Sequence, residues 1–160
     1  MSGRLEGKTA IITGGAAGFG EGIARKYAQE GAAVIIADLN GVAAQTLAEA
    51  IGDSAHAIET DVTVRSDIKA MVAYAIEKTG QVDIIVNNAG YTHRNCPMEQ
   101  VDENNFDRIL EVNAKAIYLT TLEVLPELEK QGGGVIINTA STAGIRPRPG
   151  LTWYNASKAG

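Results

Sequence analysis

Cysteine occurs once in the 160 residues, as Cys96, and histidine twice, as His56 and His93. One cysteine excludes an intrachain disulfide and any multi-cysteine metal site, which fits a reducing compartment. Neither histidine has a ligand partner at metal-binding spacing, so no metal is expected; His56 reads as a strand residue and His93 as a loop residue. Cys96, beside Pro97, has no base paired with it and does not read as a nucleophile. An apolar run of ~18 residues is also missing, and no apolar stretch follows the charges of Met1 to Lys8, so neither a membrane span nor a signal peptide is indicated. A cytoplasmic location is expected. Basic charge is in deficit: 14 Lys and Arg stand against 19 Asp and Glu, a net charge of -5, which offers no field to nucleic acid or an anionic membrane. Internal repeats and low-complexity linkers are absent, so one domain over residues 1–160 is expected.

What is present is core material and glycine. Hydrophobic residues make up 45% and charged residues 21%, which excludes intrinsic disorder. Glycine is 18 of 160, about 11% against a usual ~7%. Short apolar, β-branched runs at Thr9 to Thr13, Ala33 to Asp38, Ala55 to Thr60, Val82 to Asn87 and Val135 to Ala140 read as strands covered on both faces. Helical periodicity fills the intervals. Ile23 and Tyr27 mark the first helix; Val42, Leu47 and Ile51 the second; Ile68, Met71, Val72, Ala75 and Ile76 the third. Phe106, Ile109 and Leu110 begin a fourth, and Ile117, Thr121, Leu122 and Leu125 continue through a fifth that Gly132 to Gly134 stop. This alternation predicts an α/β fold, a Rossmann-like doubly wound parallel sheet in three α/β/α layers. Ligands of such sheets bind beyond the carboxyl ends of the strands.

Chemistry-bearing residues gather at those ends. After the first strand stands Thr13-Gly14-Gly15-Ala16-Ala17-Gly18-Phe19-Gly20, running into a helix. Glycines there let the backbone approach a diphosphate whose charge is met by the unpaired N–H groups of the helix. The strict G-x-G-x-x-G pattern is not met; the loop is the wider T-G-x-x-x-G-x-G. Asp38 ends the second strand, 18 residues after Gly20. It can accept hydrogen bonds from both hydroxyls of an adenosine ribose and would repel a 2'-phosphate, which favours NAD over NADP; the competing reading makes it a helix cap. Asp61-Val62 follows the third strand and Asn87-Asn88-Ala89-Gly90 the fourth. Asp61 suits an adenine amino group and Gly90 a close approach to ribose, while ordinary turn chemistry accounts for each taken singly. Tyr154 and Lys158 stand at i and i+4 on one helix face. A phenol ionises near pH ~10, and moving that to neutrality takes roughly 4 kcal/mol, about what one cation ~4 Å away supplies in a partly shielded site. Tyr74 and Lys78 repeat the spacing, but at the amino edge of the sheet, where a plain helix pair is expected. Ser141 precedes Tyr154 by 13 residues and offers a hydroxyl to a carbonyl oxygen.

In combination, T-G-x-x-x-G-x-G, N-N-A-G, an isolated Asn, Ser and Y-x-x-x-K resemble the short-chain dehydrogenase/reductase family, from about Lys8 onward. The resemblance implies that Tyr154 is the proton donor or acceptor. It makes Lys158 the residue that acidifies the phenol and holds the nicotinamide ribose, Ser141 the binder of the substrate oxygen, and Asn113 the holder of a water linking the lysine to solvent. Read from the residues alone, Asn113 is a polar position in a helix with a local kink. The loop residues Gly14, Gly18, Phe19 and Gly20, with Asp38, Asp61, Val62, Asn88, Ala89 and Gly90, would line the cofactor. The implied reaction is hydride transfer between NAD and a small alcohol or carbonyl compound.

Members of that family continue for many tens of residues past the lysine, adding two strands and a substrate-covering loop, so the C-terminal strands are expected to be missing here. Gly160 is a poor residue with which to extend the last helix. The intact catalytic landmarks favour a fragment of a longer enzyme over a short nucleotide-binding protein, and the full-length form is expected to be a homodimer or homotetramer. An acyl-carrier-protein-linked ketoacyl reductase and a non-catalytic dinucleotide-binding module are the competing functions. Arg146 and Arg148 are candidates to attract an anionic substrate, against the alternative of a solvated loop.

Overall fold

The β-branched runs form the sheet that their composition predicts. The computed structural model describes residues 3–159; the expectations attached to Met1 and to Gly160 lie outside the described residues. Strands β1 (Thr9–Thr13), β2 (Ala33–Asp38), β3 (Ala55–Glu59), β4 (Ile84–Asn87) and β5 (Val135–Asn138) pair in parallel in the order β3-β2-β1-β4-β5. Thr60, Val82, Asp83, Thr139 and Ala140, expected within strands, fall just outside them. Among the described residues six α-helices accompany the strands: α1 (Gly18–Gln29), α2 (Gly41–Ile51), α3 (Arg65–Thr79), α4 (Glu103–Leu110), α5 (Ala116–Lys130) and α6 (Thr152–Ala159).

Side chains alternate across each strand, and this alternation builds two separate cores. Ala10, Ile12, Val34, Ile36, Ile84 and Val86 pack on one face against Ala24 of α1 and Ala44, Leu47 and Ala48 of α2. Ile11, Ile35, Ala37 and Ile85 pack on the other against Ile68, Met71, Val72 and Ala75 of α3 and Leu119, Val124 and Leu128 of α5. The fold is the expected three-layer, doubly wound α/β sheet.

Two helical stripes differ from the expected ones. In α2 the Asn40 side chain accepts from the Ala43 N–H at 3.0 Å, so the helix starts at Gly41 and turns Val42 outward, leaving it 80% exposed. Between α4 and α5 a π-helical turn, Glu111–Lys115, inserts one residue into the period. The insertion rotates α5 about its axis, so Leu119, Val124 and Leu128 face the core, while Leu122 and Leu125 are exposed. The kink expected around Asn113 is this turn.

Because β1 has β2 on one side and β4 on the other, the winding direction reverses between β1 and β4. Adjacent crossovers leave on opposite faces there and open a crevice beyond the carboxyl ends. Among the described residues no helix is long and apolar enough to cross a membrane, and no cluster of three His, Cys, Asp or Glu residues is placed to hold a metal ion.

Candidate active site

The crevice floor is the turn after β1. Gly14 has φ +60°, and a Cβ there would stand 2.9 Å from the Ala89 Cα; a Cβ on Gly20 would meet the carbonyl of Gly14. Both glycines are required by close approach of backbone, and Gly18, at φ +57° with open space around it, by conformation. Ala17 is extended at the N-cap of α1 and contributes no side-chain cap, which leaves the first-turn N–H groups without a side-chain partner from that position. Thr13 Oγ1 accepts from the N–H groups of Asn88 (3.1 Å) and Ala89 (3.2 Å) and donates to Val86 O (3.3 Å). Asn88 Nδ2 donates to the carbonyls of Thr13 (3.1 Å) and Gly14 (3.0 Å). The glycine motif gives Thr13 no role of its own, yet its side chain joins the ends of β1 and β4. The signal for it is a polar side chain ending an otherwise apolar strand directly before glycine.

A cavity of about 240 Å³ lies at the β2–β3 end, lined by Gly14, Asp38, Asp61, Val62, Ala89 and Gly90 among others. Asp38 Oδ2 accepts from the Ala16 N–H (3.0 Å) and Oδ1 from the Asn40 N–H (2.9 Å). Asn40, not Asp38, caps α2, so Asp38 instead ties the glycine loop to the end of β2. Asp61 Oδ1 accepts from the backbone and hydroxyl of Thr63 at 2.9 and 2.7 Å, and its other oxygen lies 3.6 Å from Arg108 Nη1. Partial burial opposes ionisation of Asp61, but the two Thr63 hydrogen bonds and Arg108 outweigh it and hold the carboxyl below its ordinary value. Arg108, on α4, also lines this cavity. Sequence reasoning misses it, because nothing local in the chain ties α4 to the end of β3.

The other end is a cavity of about 500 Å³ lined by Phe19, Asn88, Gly90, Ser141, Arg148, Tyr154 and Lys158, among others. Tyr154 and Lys158 reach it from one face of α6, as the i, i+4 spacing predicts. Lys158 Nζ donates to the Thr139 carbonyl at 3.1 Å, and a methyl group placed on Gly90 would stand 3.9 Å from that nitrogen. Ser141 Oγ accepts from the Ala143 N–H at 3.1 Å; among the described residues its own O–H has no acceptor. Asn113 is buried in the π-helical turn. Its Oδ1 accepts from the Tyr91 N–H (2.8 Å), and its Nδ2 donates to Tyr91 O and to Ser157 Oγ (both 2.9 Å). Asn113 thereby clips the turn after β4 to α6. Ser157, which also donates to Tyr154 O at 2.8 Å, is a further member that the motifs do not mark. A cavity of about 290 Å³ beside Asn113, Ser157 and Lys158 has room for water.

Residues outside the expected site are informative as well. Lys78 Nζ sits 5.2 Å from the centre of the Tyr74 ring, away from the crevice, as a helix pair. The expectation that Cys96 has no base near it is corrected: Sγ is 3.8 Å from His93 Nδ1. The same nitrogen is 2.7 Å from the Arg94 carbonyl, which can only accept, so Nδ1 carries a proton and presents no lone pair to the thiol.

The cavities at the two ends share Gly14, Ala89, Gly90 and Tyr91, so they form one crevice. A carboxylate pair at one end, a glycine cradle in the middle where Gly14 and Gly20 have no room for a Cβ, and hydroxyl, phenol and ammonium groups at the other fit a nicotinamide dinucleotide. The fold and crevice define a dinucleotide-binding α/β domain. The family model for short chain dehydrogenase matches residues 8–160, and the chain belongs to that family. It is 49% identical to 4-formylbenzenesulfonate dehydrogenase of Comamonas testosteroni, over 97% of this chain and 63% of the relative. It is 40% identical to 3beta-hydroxysteroid dehydrogenase 2 of Eggerthella lenta, over 96% and 61%. The crystal structure of 3-ketoacyl-(acyl-carrier-protein) reductase from Brucella melitensis complexed with NADH superposes with a TM-score of 0.94 at 45% identity, covering 97% of this chain and 66% of that one. The chain spans under two thirds of the length of these relatives.

Proposed function

We propose that the protein is an NAD-dependent oxidoreductase interconverting a secondary alcohol and its ketone, or the corresponding aldehyde pair, with Tyr154 as general acid and base. The observation that carries this reading is that Tyr154, Lys158 and Ser141 line one cavity continuous with the glycine cradle. When bound, the nicotinamide supplies the hydride acceptor or donor. In oxidation the carbinol C–H bond is broken with loss of hydride, and the hydroxyl proton passes to the Tyr154 oxygen. Lys158, held on the Thr139 carbonyl near the turn at Gly90, brings its ammonium to the cavity that Tyr154 also lines. Ser141 donates to the substrate oxygen from the O–H that the Ala143 contact leaves free. Asn113 sets the turn after β4 relative to α6, and the adjoining cavity supports a water between Lys158 and solvent. Asp38 and Asp61 receive the adenosine, and Asp38 favours NAD over NADP because a 2'-phosphate would meet its carboxylate. The exposed apolar residues Tyr118, Leu122 and Leu125 of α5 support a homodimer or homotetramer, and cytoplasmic residence accompanies this reading.

Tyr154→Phe tests the proposal in the full-length protein. Turnover is expected to fall by at least ~10²-fold while NADH still binds; retained activity refutes the role. A second reading, favoured by the reductase names among the relatives, is a 3-oxoacyl-acyl-carrier-protein reductase. Turnover of a 3-oxoacyl thioester against that of a simple secondary alcohol separates the two, and a comparison of NAD with NADP, with and without Asp38→Ala, tests the role of Asp38. A non-catalytic dinucleotide-binding role predicts NADH fluorescence enhancement with no oxidation of any alcohol.

A further inference from the structure

The residues lining the Tyr154 end of the crevice include two cations, Lys158 and Arg148, and no carboxylate. Lys158 is engaged with the Thr139 carbonyl. Arg148 is exposed and, like Arg4, Arg94 and Arg146, enters no ion pair among the described residues; of these four it alone lines this cavity. Its backbone, by contrast, is held tightly. Pro147 and Pro149 flank it and restrict the chain on both sides. The only N–H in that tripeptide belongs to Arg148, and it donates to Asn155 Oδ1 at 3.2 Å, while Asn155 Nδ2 donates to the Arg148 carbonyl at 2.8 Å. Asn155 is buried and immediately follows Tyr154. The next residues dock on the turn after β4, with Gly150 O accepting from the Cys96 N–H (3.1 Å) and Pro149 O from Asn95 Nδ2 (2.7 Å).

A fixed backbone with a guanidinium free of other partners suits an anion-binding arginine, since only the side chain's own rotamer freedom remains to be lost when the ligand arrives. A solvated surface arginine needs none of these restraints. The charge also runs against the chain as a whole, whose net is -5.

We propose that Arg148 makes this site specific for anionic substrates: an alcohol or carbonyl compound carrying a carboxylate or sulfonate away from the reacting carbon, received by the guanidinium fork. This inference rests on the proposed oxidoreductase activity and adds the substrate class to it.

The test uses the full-length protein with NADH and two probes of the same shape, 4-carboxybenzaldehyde and its uncharged methyl ester. The ratio of kcat/KM for carboxylate over ester is expected to exceed one and to fall about tenfold in Arg148→Ala, the size of one charge-assisted hydrogen bond. The loss should appear in KM, be partly restored in Arg148→Lys and shrink at high salt. An unchanged ratio, or a loss of NADH affinity as large as the loss of carboxylate preference, overturns the assignment, the latter by transferring Arg148 to the cofactor. Turnover of neither probe speaks to the shape of the substrate and leaves the anion to be tested by binding. Calorimetric binding of terephthalate then decides the anion site: affinity lost in Arg148→Ala sustains it and equal affinity overturns it.

Discussion

Replacing Gly20 by alanine sets two effects against each other, and the structure decides which wins. Within α1 an alanine is intrinsically better than glycine by about 1 kcal/mol. The new Cβ, however, would overlap the Gly14 carbonyl and stand 2.7 Å from Asn88 Nδ2. The carbonyl is backbone and has no rotamer through which to escape. Moving it by roughly an ångström also disturbs the two hydrogen bonds that Asn88 donates to Thr13 and Gly14. Overpacking of this kind costs roughly 1 to 3 kcal/mol or more, and weakened hydrogen bonds add about 1 kcal/mol each. The net expectation is a loss of about 2 to 4 kcal/mol, or roughly 4 to 16 °C in Tm for a chain of this size. The same displacement moves the crevice floor, so NADH affinity should fall more than about tenfold, read from quenching of protein fluorescence. A Gly20→Ala protein within about 1 °C of the parent and with unchanged NADH affinity would refute the role given to this glycine.

Gly22→Ala, two residues further along α1, should do the opposite, because that residue is exposed, has no φ in the left-handed region and has nothing within 4 Å of a new Cβ; a gain of about 0.5 to 1 kcal/mol in urea unfolding is expected. Asn113→Ala removes the acceptor for the Tyr91 N–H and the donor to Tyr91 O and Ser157 Oγ, so it should cost about 2 to 4 kcal/mol and raise amide exchange in the turn at Tyr91 and in α6; unchanged exchange there would sink the clip. For Asp61, a folded-state carboxyl held below its ordinary value of 3.8 stabilises the fold fully above that value and loses the contribution as pH falls through the depressed one. Denaturant unfolding between about pH 2.5 and 6 should therefore show the advantage of the parent over Asp61→Asn shrinking in acid, and Arg108→Ala should move that loss to higher pH.

Much of this architecture is legible in the chain alone. Alternating β-branched runs such as Ala33–Asp38 can be buried on both faces only if helices cover both, and the intervening periodicities supply those helices. The glycine loop, Asp38, Asp61, the N-N-A-G turn and Ser141 are legible as local patterns just after strands, and the Tyr154–Lys158 pair as an i, i+4 pattern on one helix. The face of α5 is not legible, because its residues carry apolar side chains on two sides and the π-helical turn at Glu111–Lys115 shifts the register by one.

Residues whose work is done across long sequence separations also escape such reading. Thr13 reaches Asn88, Asn113 reaches both Tyr91 and Ser157, and Arg108 reaches Asp61; none of these pairings leaves a periodic trace. Local propensity and pattern thus determined the elements, their order and the chemistry available at the strand ends. Only the tertiary structure decided which side chains meet, which face of a two-sided helix is covered and that Arg148 stands unpaired on a fixed base beside Tyr154. Those outcomes depend on long-range packing and the exclusion of alternative hydrogen-bond partners, which no window of neighbouring residues contains.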